Sequence, residues 1–389
     1  MAIDLPAWRY LVPDCSRTPA GTFHINGAFI CRHNQMLLGL PVARDSSERP
    51  NRRSKEAGFA ARPGGNVDAV IEEQNTVLVT GASGFVGQPL VAALVRAGYT
   101  VRAATRNQSS SFPARVERVL VPDFTEPVGW EALVHGVDTI VHAAGLAHAD
   151  TSEIPETQFD RINRLATDDL CAAAARAGVR RIVFVSSVRA QIGPSAPQPL
   201  QETDEPRPTD AYGRSKLAAE AAVRACGVPF TILRPVVIYG PNARANIRSL
   251  VRLATLPFPL PFAGLTSRRS LVGVDNLISV VLFALANPAT AGETFLVADP
   301  RPATIPEIFT MLRRAQGRRP GLVHVPPSLI RLGLAAVGCG ALWHRIGGEL
   351  IVDTGKLEAA GWHPPVDTYS GLAQLMPYRG GRAIEQIAS

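Results

Sequence analysis

Residues Thr80 to Gly87 read TGASGFVG, and their neighbours leave this stretch little choice of structure. Thr76, Val77, Leu78 and Val79 before it are β-formers or apolar and predict a short buried strand. Leu90, Val91, Leu94 and Val95 after it recur at helical spacing and predict a helix over 88–97. Strand, glycine-rich turn and helix in that order make a phosphate-binding turn. Gly81 serves the tight turn, Gly84 lets the backbone approach a pyrophosphate, and Gly87 lets helix and strand pack closely. The helix N-terminus adds unpaired N–H groups and the positive end of its dipole.

The chain beyond this turn agrees with such an architecture. Strands are predicted at 76–79, 100–104, 116–121, 139–143, 181–186 and 229–234, with helical stretches at 88–97, 130–134, 158–177 and 210–226 between them. Strands alternating with helices predict an α/β fold, a Rossmann-type doubly wound parallel sheet with helices on both faces and right-handed crossovers. After Tyr239 the alternation gives way to frequent Pro, Gly and Arg. That predicts a smaller C-terminal substrate-binding part over the open edge of the sheet, where the ligand crevice of such folds lies. The expected division is a nucleotide-binding domain over 73–240, carrying the catalytic residues, and a mainly substrate-binding part over 241–389. Residues 1–72 form an extension of another character. Ala43 to Asn66 is rich in Arg, Ser, Pro and Gly and is predicted to be disordered, while Thr22 to Val42 is more apolar and fits a hairpin or a short helix equally. Either translation begins downstream of Met1 or the extension is real and poorly ordered.

Composition narrows the function classes. With 46% hydrophobic and 19% charged residues the chain is globular. Its net charge of +7 comes from scattered arginines with few aromatics among them. No zinc spacing and no nucleic-acid module is present, so neither a metal nor nucleic acid is expected, and the basic surface suits anionic small molecules. The 5 cysteines are unpaired in spacing, which fits a reducing cytoplasm. The N-terminus lacks a signal pattern, and the apolar run Leu332 to Trp343 is too short for a membrane span, which needs about 20 residues.

Several stretches carry chemistry. Past the glycine turn, the end of the second strand is where an acid would hold the ribose 2′-hydroxyl of NAD. Thr105 and Arg106 stand there instead, an arrangement that accommodates a 2′-phosphate. This favours NADP(H) over NAD(H), although an unliganded surface arginine gives the same pattern. Asp123, after the third strand, is either an adenine contact or a turn former. In VHAAGLAH, the small residues Ala143, Ala144 and Gly145 would let a cofactor lie against the backbone. His142 there is read as a packed strand residue; His148 faces substrate or solvent. Tyr212 and Lys216, in YGRSK, are four apart and share a helix face. A nearby ammonium would lower the phenol pKa, and a tuned phenol can exchange a proton with an alcohol or ketone as hydride moves. Ser187, ending the fifth strand with Ser186, would hydrogen-bond the same oxygen.

TGASGFVG, VHAAGLAH, FVSS, YGRSK and RPVVIYGP in this order resemble the extended short-chain dehydrogenase/reductase family of NAD(P)-dependent nucleotide-sugar epimerases and dehydratases. The resemblance covers Asn75 to the C-terminus and is strongest to the 4-epimerases and 4-keto reductases of O-antigen synthesis, through ARANIRSLVRL, RRSLVGVDNL and GETFLVADP. It implies that Gly81, Gly84 and Gly87, with Phe85 and Val86 between them and Pro235 at the sixth strand's end, contact the cofactor. It implies Lys216 on the nicotinamide ribose, Tyr212 as acid/base and Ser187 as its partner, with Ser186 replacing Ser187 if the turn is offset by one. Asn246 would contact the nucleotide sugar and Arg269 its diphosphate, for which a guanidinium fork is suited. Asn163 matches a helix asparagine with a structural or proton-relay role, and Arg234, Pro235, Tyr239 and Gly240 would shape the way into the substrate lobe. Where 4,6-dehydratases carry an Asp-Glu pair, Val188 and Arg189 stand, so dehydration lacks its acid and base. The family implies a homodimer, paired through the helix carrying the tyrosine and its neighbour.

Three functions fit these residues. One is an NADPH-dependent reductase of a 4-keto nucleotide sugar of the UDP-hexosamine type, serving surface polysaccharide synthesis, toward which Arg106 tilts the reading. The second is a nucleotide-sugar 4-epimerase with tightly held NAD, and the third a non-catalytic NADP sensor, which the retained tyrosine and lysine disfavour.

Overall fold

β1 (Thr76–Thr80) is the strand ahead of the glycine turn, and Val77, Leu78, Val79 and Thr80 are all buried. Side chains alternate along a strand, so burial of every one of them places β1 inside a sheet covered on both faces. The structure, a computed structural model, describes residues 75–108, 110–147, 154–241, 243, 246–336, 338, 340, 343 and 346–376. The N-terminal extension lies outside the described residues.

The elements that follow are α1 (Gly87–Arg96), β2 (Thr100–Thr105), β3 (Glu117–Leu120), α2 (Trp130–Val134), β4 (Thr139–His142) and α3 (Glu156–Phe159). A π-helical segment (Asp160–Leu165) then leads into α4 (Ala166–Arg176), β5 (Arg181–Val185), α5 (Ala211–Ala225), β6 (Phe230–Pro235) and β7 (Val237–Tyr239). Beyond them come α6 (Asn246–Thr255), β8 (Arg268–Arg269), β9 (Leu271–Gly273), α7 (Val274–Ala286), β10 (Glu293–Val297), β11 (Ala303–Thr304), α8 (Ile305–Ala315) and α9 (Pro327–Ala336).

Seven strands form one sheet in the order β10-β6-β5-β4-β1-β2-β3, and every neighbouring pair is parallel. α1 and α7 cover one face, with Leu90, Leu94, Leu277 and Val281 packed on Val77, Val79 and Val183. α2, α4 and α5 cover the other, with Trp130, Leu170, Ala219 and Val223 on Leu78, Ile140, Ile182 and Ile232. The order reverses between β1 and β4, and a ligand crevice opens at the carboxyl ends of such a pair. The alternation does not stop at Tyr239, as the sequence had implied. α7 and β10 resume it after an interruption, and β10 adds a parallel edge strand beside β6, with Glu293 opposite Thr231 and Val297 opposite Pro235.

The segment between β6 and β10 and the residues after β10 build a third core, in which Leu253, Phe309, Leu312 and Ile330 are buried. Tyr239 does not line an opening. Its hydroxyl donates to Asp299 at 2.6 Å, and Asp299 also accepts from Asn276 at 2.7 Å and from the Gly273 N–H at 3.0 Å.

α5 is fixed to the sheet by a buried ionic cluster. Arg234 on β6 donates to both oxygens of Glu220 on α5, at 2.9 and 2.7 Å, and Ser186 Oγ donates to the same carboxylate at 2.6 Å. Burial alone would raise the Glu220 carboxyl; the hydrogen bonds and charge of Arg234, with Ser186, outweigh it and hold the group below its ordinary value. Arg234 also donates to Gln191 at 2.8 Å, whose amide donates to the carbonyls of Gln201 and Asp204. Arg234 therefore sits beneath the helix rather than at the mouth of the substrate lobe. Arg234→Met leaves a buried carboxylate with only the Ser186 hydroxyl and the half-exposed Arg224 as partners and is expected to lower unfolding free energy by about 3–5 kcal/mol, while Arg234→Met with Glu220→Met recovers most of that loss. Chemical denaturation of the three proteins checks this.

Candidate active site

The glycine turn closes as its residues require. Gly81 has φ of +68°, a conformation that favours glycine, and a Cβ there would meet Ala144 Cα at 2.9 Å. A Cβ on Gly87 would collide with the Gly81 carbonyl oxygen, so α1 can start this close to the turn only without one. The space left is a cavity of about 190 Å³ lined by Gly81, Gly84, Arg106, Asp123, Ala143, Ala144 and Gly145 among others. All seven are residues the sequence assigned to the cofactor. Val86 precedes and Gly87 begins α1, Phe85 packs toward Gly240, and Pro235 ends β6; none of these four, nor Tyr212 or Lys216, lines the cavity.

Arg106 and Asp123 meet on one wall of the cavity, 2.5 Å apart and 66% and 47% exposed. Asp123 also accepts from the Thr125 N–H at 3.1 Å, so it forms the turn, and it lines the cavity. The Thr125 hydrogen bond and the Arg106 charge keep its carboxyl below the ordinary value. The cation that favoured a 2′-phosphate is thus matched by an anion on the same wall.

At the inner end, Lys216 Nζ stands near Gly145, donates to the Val185 carbonyl at 2.9 Å and lies 4.2 Å over the Phe184 ring. Burial pushes its pKa down to about 7, with Glu220 opposing the shift. His142 stacks on Phe184 and bridges Thr80, at 2.7 Å, and Thr167, at 2.9 Å. The Thr167 hydroxyl donates to the Asn163 carbonyl, so the His142 Nε2–H donates to Thr167 and Nδ1 accepts from Thr80. Burial, then the Lys216 charge, pushes His142 down to about 3, which makes it a neutral packing residue. His148 lies outside the described residues.

Ser187, not Ser186, meets the tyrosine. Ser186 is committed to Glu220, while Ser187 stands just beyond β5, where its hydroxyl acts on Tyr212. Burial raises the Tyr212 phenol from its ordinary value; the Ser187 hydrogen bond pulls it down, Asp210 raises it and Arg189 lowers it. The expected lowering by Lys216 is replaced by these contributions, because the ammonium is turned to the Val185 carbonyl. Asn163, in the π-helical segment, joins the parts: its amide oxygen accepts from the Leu146 N–H at 2.8 Å, and its nitrogen donates to the Leu146 carbonyl at 3.2 Å and to Ser215 Oγ at 2.9 Å. A π-turn puts this side chain where a regular helix would not. Ser215 lies between Tyr212 and Lys216 and donates to the Tyr212 carbonyl at 2.8 Å.

On the substrate side, Arg269 is largely buried, and burial followed by the Arg189 charge pushes it down to about 10. Arg189 therefore acts on both Tyr212 and Arg269. Asn246 begins α6, and its side chain lies outside the description. Among the described residues no cluster could hold a metal ion, and no helix is long and apolar enough to cross a membrane. Sequence reasoning missed the Arg189–Asp210 ion pair and the Thr80–His142–Thr167 bridge. Only Asp210 carried a signal, as an N-cap residue ahead of a helix.

The NAD dependent epimerase/dehydratase family matches residues 77–298. The UDP-glucose 4-epimerase of Vibrio cholerae is 31% identical over 77% of this chain and 94% of that protein. An N-acetyl-α-D-glucosaminyl-diphospho-ditrans,octacis-undecaprenol 4-epimerase of Escherichia coli O157:H7 is 26% identical over 78% and 95%. The solved structure of MoeE5 in complex with UDP-glucose and NAD superposes with a TM-score of 0.63 at 26% identity, over 77% of this chain and 97% of that one.

Lys216 gives a pH-dependent prediction. Its pKa of about 7 in the folded protein lies below the unfolded value near 10.4, so its charge opposes folding. That penalty is complete below pH 7 and fades as pH rises toward about 10. Lys216→Met, compared as cofactor-free protein, is expected to be more stable than wild type by roughly 1–3 kcal/mol at pH 6, with the gap closing above pH 9. A variant less stable at pH 6 contradicts the assignment.

Proposed function

The chain belongs to the NAD dependent epimerase/dehydratase family, and from that premise we propose that it is a 4-epimerase of a nucleotide-activated hexose, using a resident NAD(H). The observation that carries this reading is the placing of Ser187, just beyond β5, beside Tyr212 on α5, the helix whose Lys216 stands near Gly145 of the cavity wall. The cavity fits a dinucleotide by its chemistry. Its floor is backbone that no Cβ could share, at the N-terminus of α1, and its far wall holds the Arg106–Asp123 pair.

Bound NAD supplies a hydride acceptor and donor beside the sugar. Gly81 and Gly84 would hold its pyrophosphate, Ala143 to Gly145 its adjoining face, and Lys216 its nicotinamide ribose. Ser187 would hydrogen-bond the C4 oxygen of the sugar and orient it. Tyr212 would take the proton of that hydroxyl when C4 is oxidised and return one to the oxygen when the ketone is reduced. Arg269, with its charge held in a water-poor cleft, would grip the diphosphate. Val188 and Arg189 stand where elimination would need an acid and a base, and neither side chain carries a carboxylate.

The Arg106–Asp123 pair supports NAD(H) over NADP(H), because a 2′-phosphate would meet an ionised carboxylate beside the guanidinium. The names of the relatives support epimerisation at C4 of a sugar on a diphosphate carrier. The second reading, a 4-keto reductase drawing on NADPH, is supported by the exposure of Arg106, which leaves it room to leave Asp123.

Tyr212→Phe is expected to slow interconversion of UDP-hexose C4 epimers, followed chromatographically without added cofactor, by about two to four powers of ten while cofactor stays bound. Turnover close to wild type in that variant removes Tyr212 from the mechanism.

A further inference from the structure

The loop that carries Ser187 is locked to the start of α5. Arg189 and Asp210 form an ion pair whose side chains are only 23% and 26% exposed. Asp210 is also the N-cap of α5, its other oxygen accepting from the Gly213 N–H at 2.7 Å. The Arg189 N–H donates to Ser187 Oγ at 3.1 Å, and a Cβ on Gly213 would collide with the Arg189 carbonyl oxygen. One residue pair therefore spans the two segments that carry Ser187 and Tyr212.

We propose that Arg189 is a positioning residue that, through Asp210, holds Ser187 against Tyr212 and offsets the Asp210 charge beside the phenol. The proposal rests on the reading of Tyr212 as the proton-transfer group. The other charged groups around the phenol are engaged elsewhere. Lys216, one turn along α5, donates to the Val185 carbonyl. Glu156 on α3 is paired with Arg214 at 2.7 and 2.9 Å, and Asp160 in the π-helical segment is paired with Arg164. Arg269 on β8 does not act on the phenol directly, and His142 is neutral. Asp210 and Arg189 act on the phenol with opposite signs. An unpaired Asp210 would raise the phenol further, whereas the pair leaves the N-cap in place and its charge offset.

The two charges can be removed separately. Asn caps a helix as well as Asp does, so Asp210→Asn keeps the start of α5 and deletes only the charge. Arg189→Gln deletes the cation, and Arg189→Lys keeps it. The phenol is titrated in the holoenzyme as the tyrosinate absorbance of each protein minus that of the same protein carrying Tyr212→Phe, which needs no substrate. The midpoint is expected to rise by about half a pH unit or more in Arg189→Gln, to fall in Asp210→Asn, and to stay within a few tenths of wild type in Arg189→Lys. Midpoints that do not move, or that move the same way in Arg189→Gln and Asp210→Asn, overturn the proposal. Failure of the functional reading looks different: Tyr212→Phe would then remain active while the opposed shifts persist.

Discussion

α5 stands where the buried pair of Glu220 and Arg234 puts it, and the site depends on where α5 stands. A carboxylate and a guanidinium removed from water need nearly ideal geometry to offset their desolvation. Here both oxygens of Glu220 are engaged by Arg234, and Ser186 adds a third hydrogen bond. The same cluster ties β6 to α5 and, through Gln191, holds the loop after β5. It thus sets the distance between the strand end that presents Ser187 and the helix that presents Tyr212. It also explains the division of labour between adjacent serines, since Ser186 belongs to the anchor and Ser187 faces the phenol.

The cleft above this anchor is costly to build. Lys216, Arg269, Tyr212 and His142 all lie where burial works against their charged forms. Arg189 and Arg269 repel each other, and the Asp210 carboxylate on Arg189 offsets only part of that. A multiply charged diphosphate bound at Arg269, as the proposed function requires, would offset this repulsion. Buried groups that lose stability in the free protein and gain partners on binding are the usual signature of a functional site.

The sequence made much of this legible and hid the rest for physical reasons. The glycine turn, the strands β1 to β6 and the pairing of Tyr212 with Lys216 on one helix rest on local periodicity and on backbone demands, both of which one stretch of chain displays. β10 was hidden because β7, α6, β8, β9 and α7 separate it from its partner β6, and edge pairing leaves no local trace. Arg106 read as an unmatched cation because Asp123 belongs to the end of another strand. The direction of the phenol shift was misjudged for a related reason. Spacing put Lys216 on the right face of α5 but said nothing of the Val185 carbonyl that takes its ammonium. Asn163 was visible only through family resemblance, since the π-turn that delivers it has no periodic signal.

The central claim is that this crevice keeps NAD(H) as a resident group and spends it on both halves of one reaction at C4. The matched charges of Arg106 and Asp123, the tight floor at Gly81 and Gly87, and the inward Lys216 all bear on that claim. The most direct measurement is the identity and amount of nucleotide released when the purified protein is denatured, read by absorbance and mass. Close to one NAD(H) per chain is the predicted result. A nucleotide-free protein that takes up NADPH in preference to NADH would contradict it.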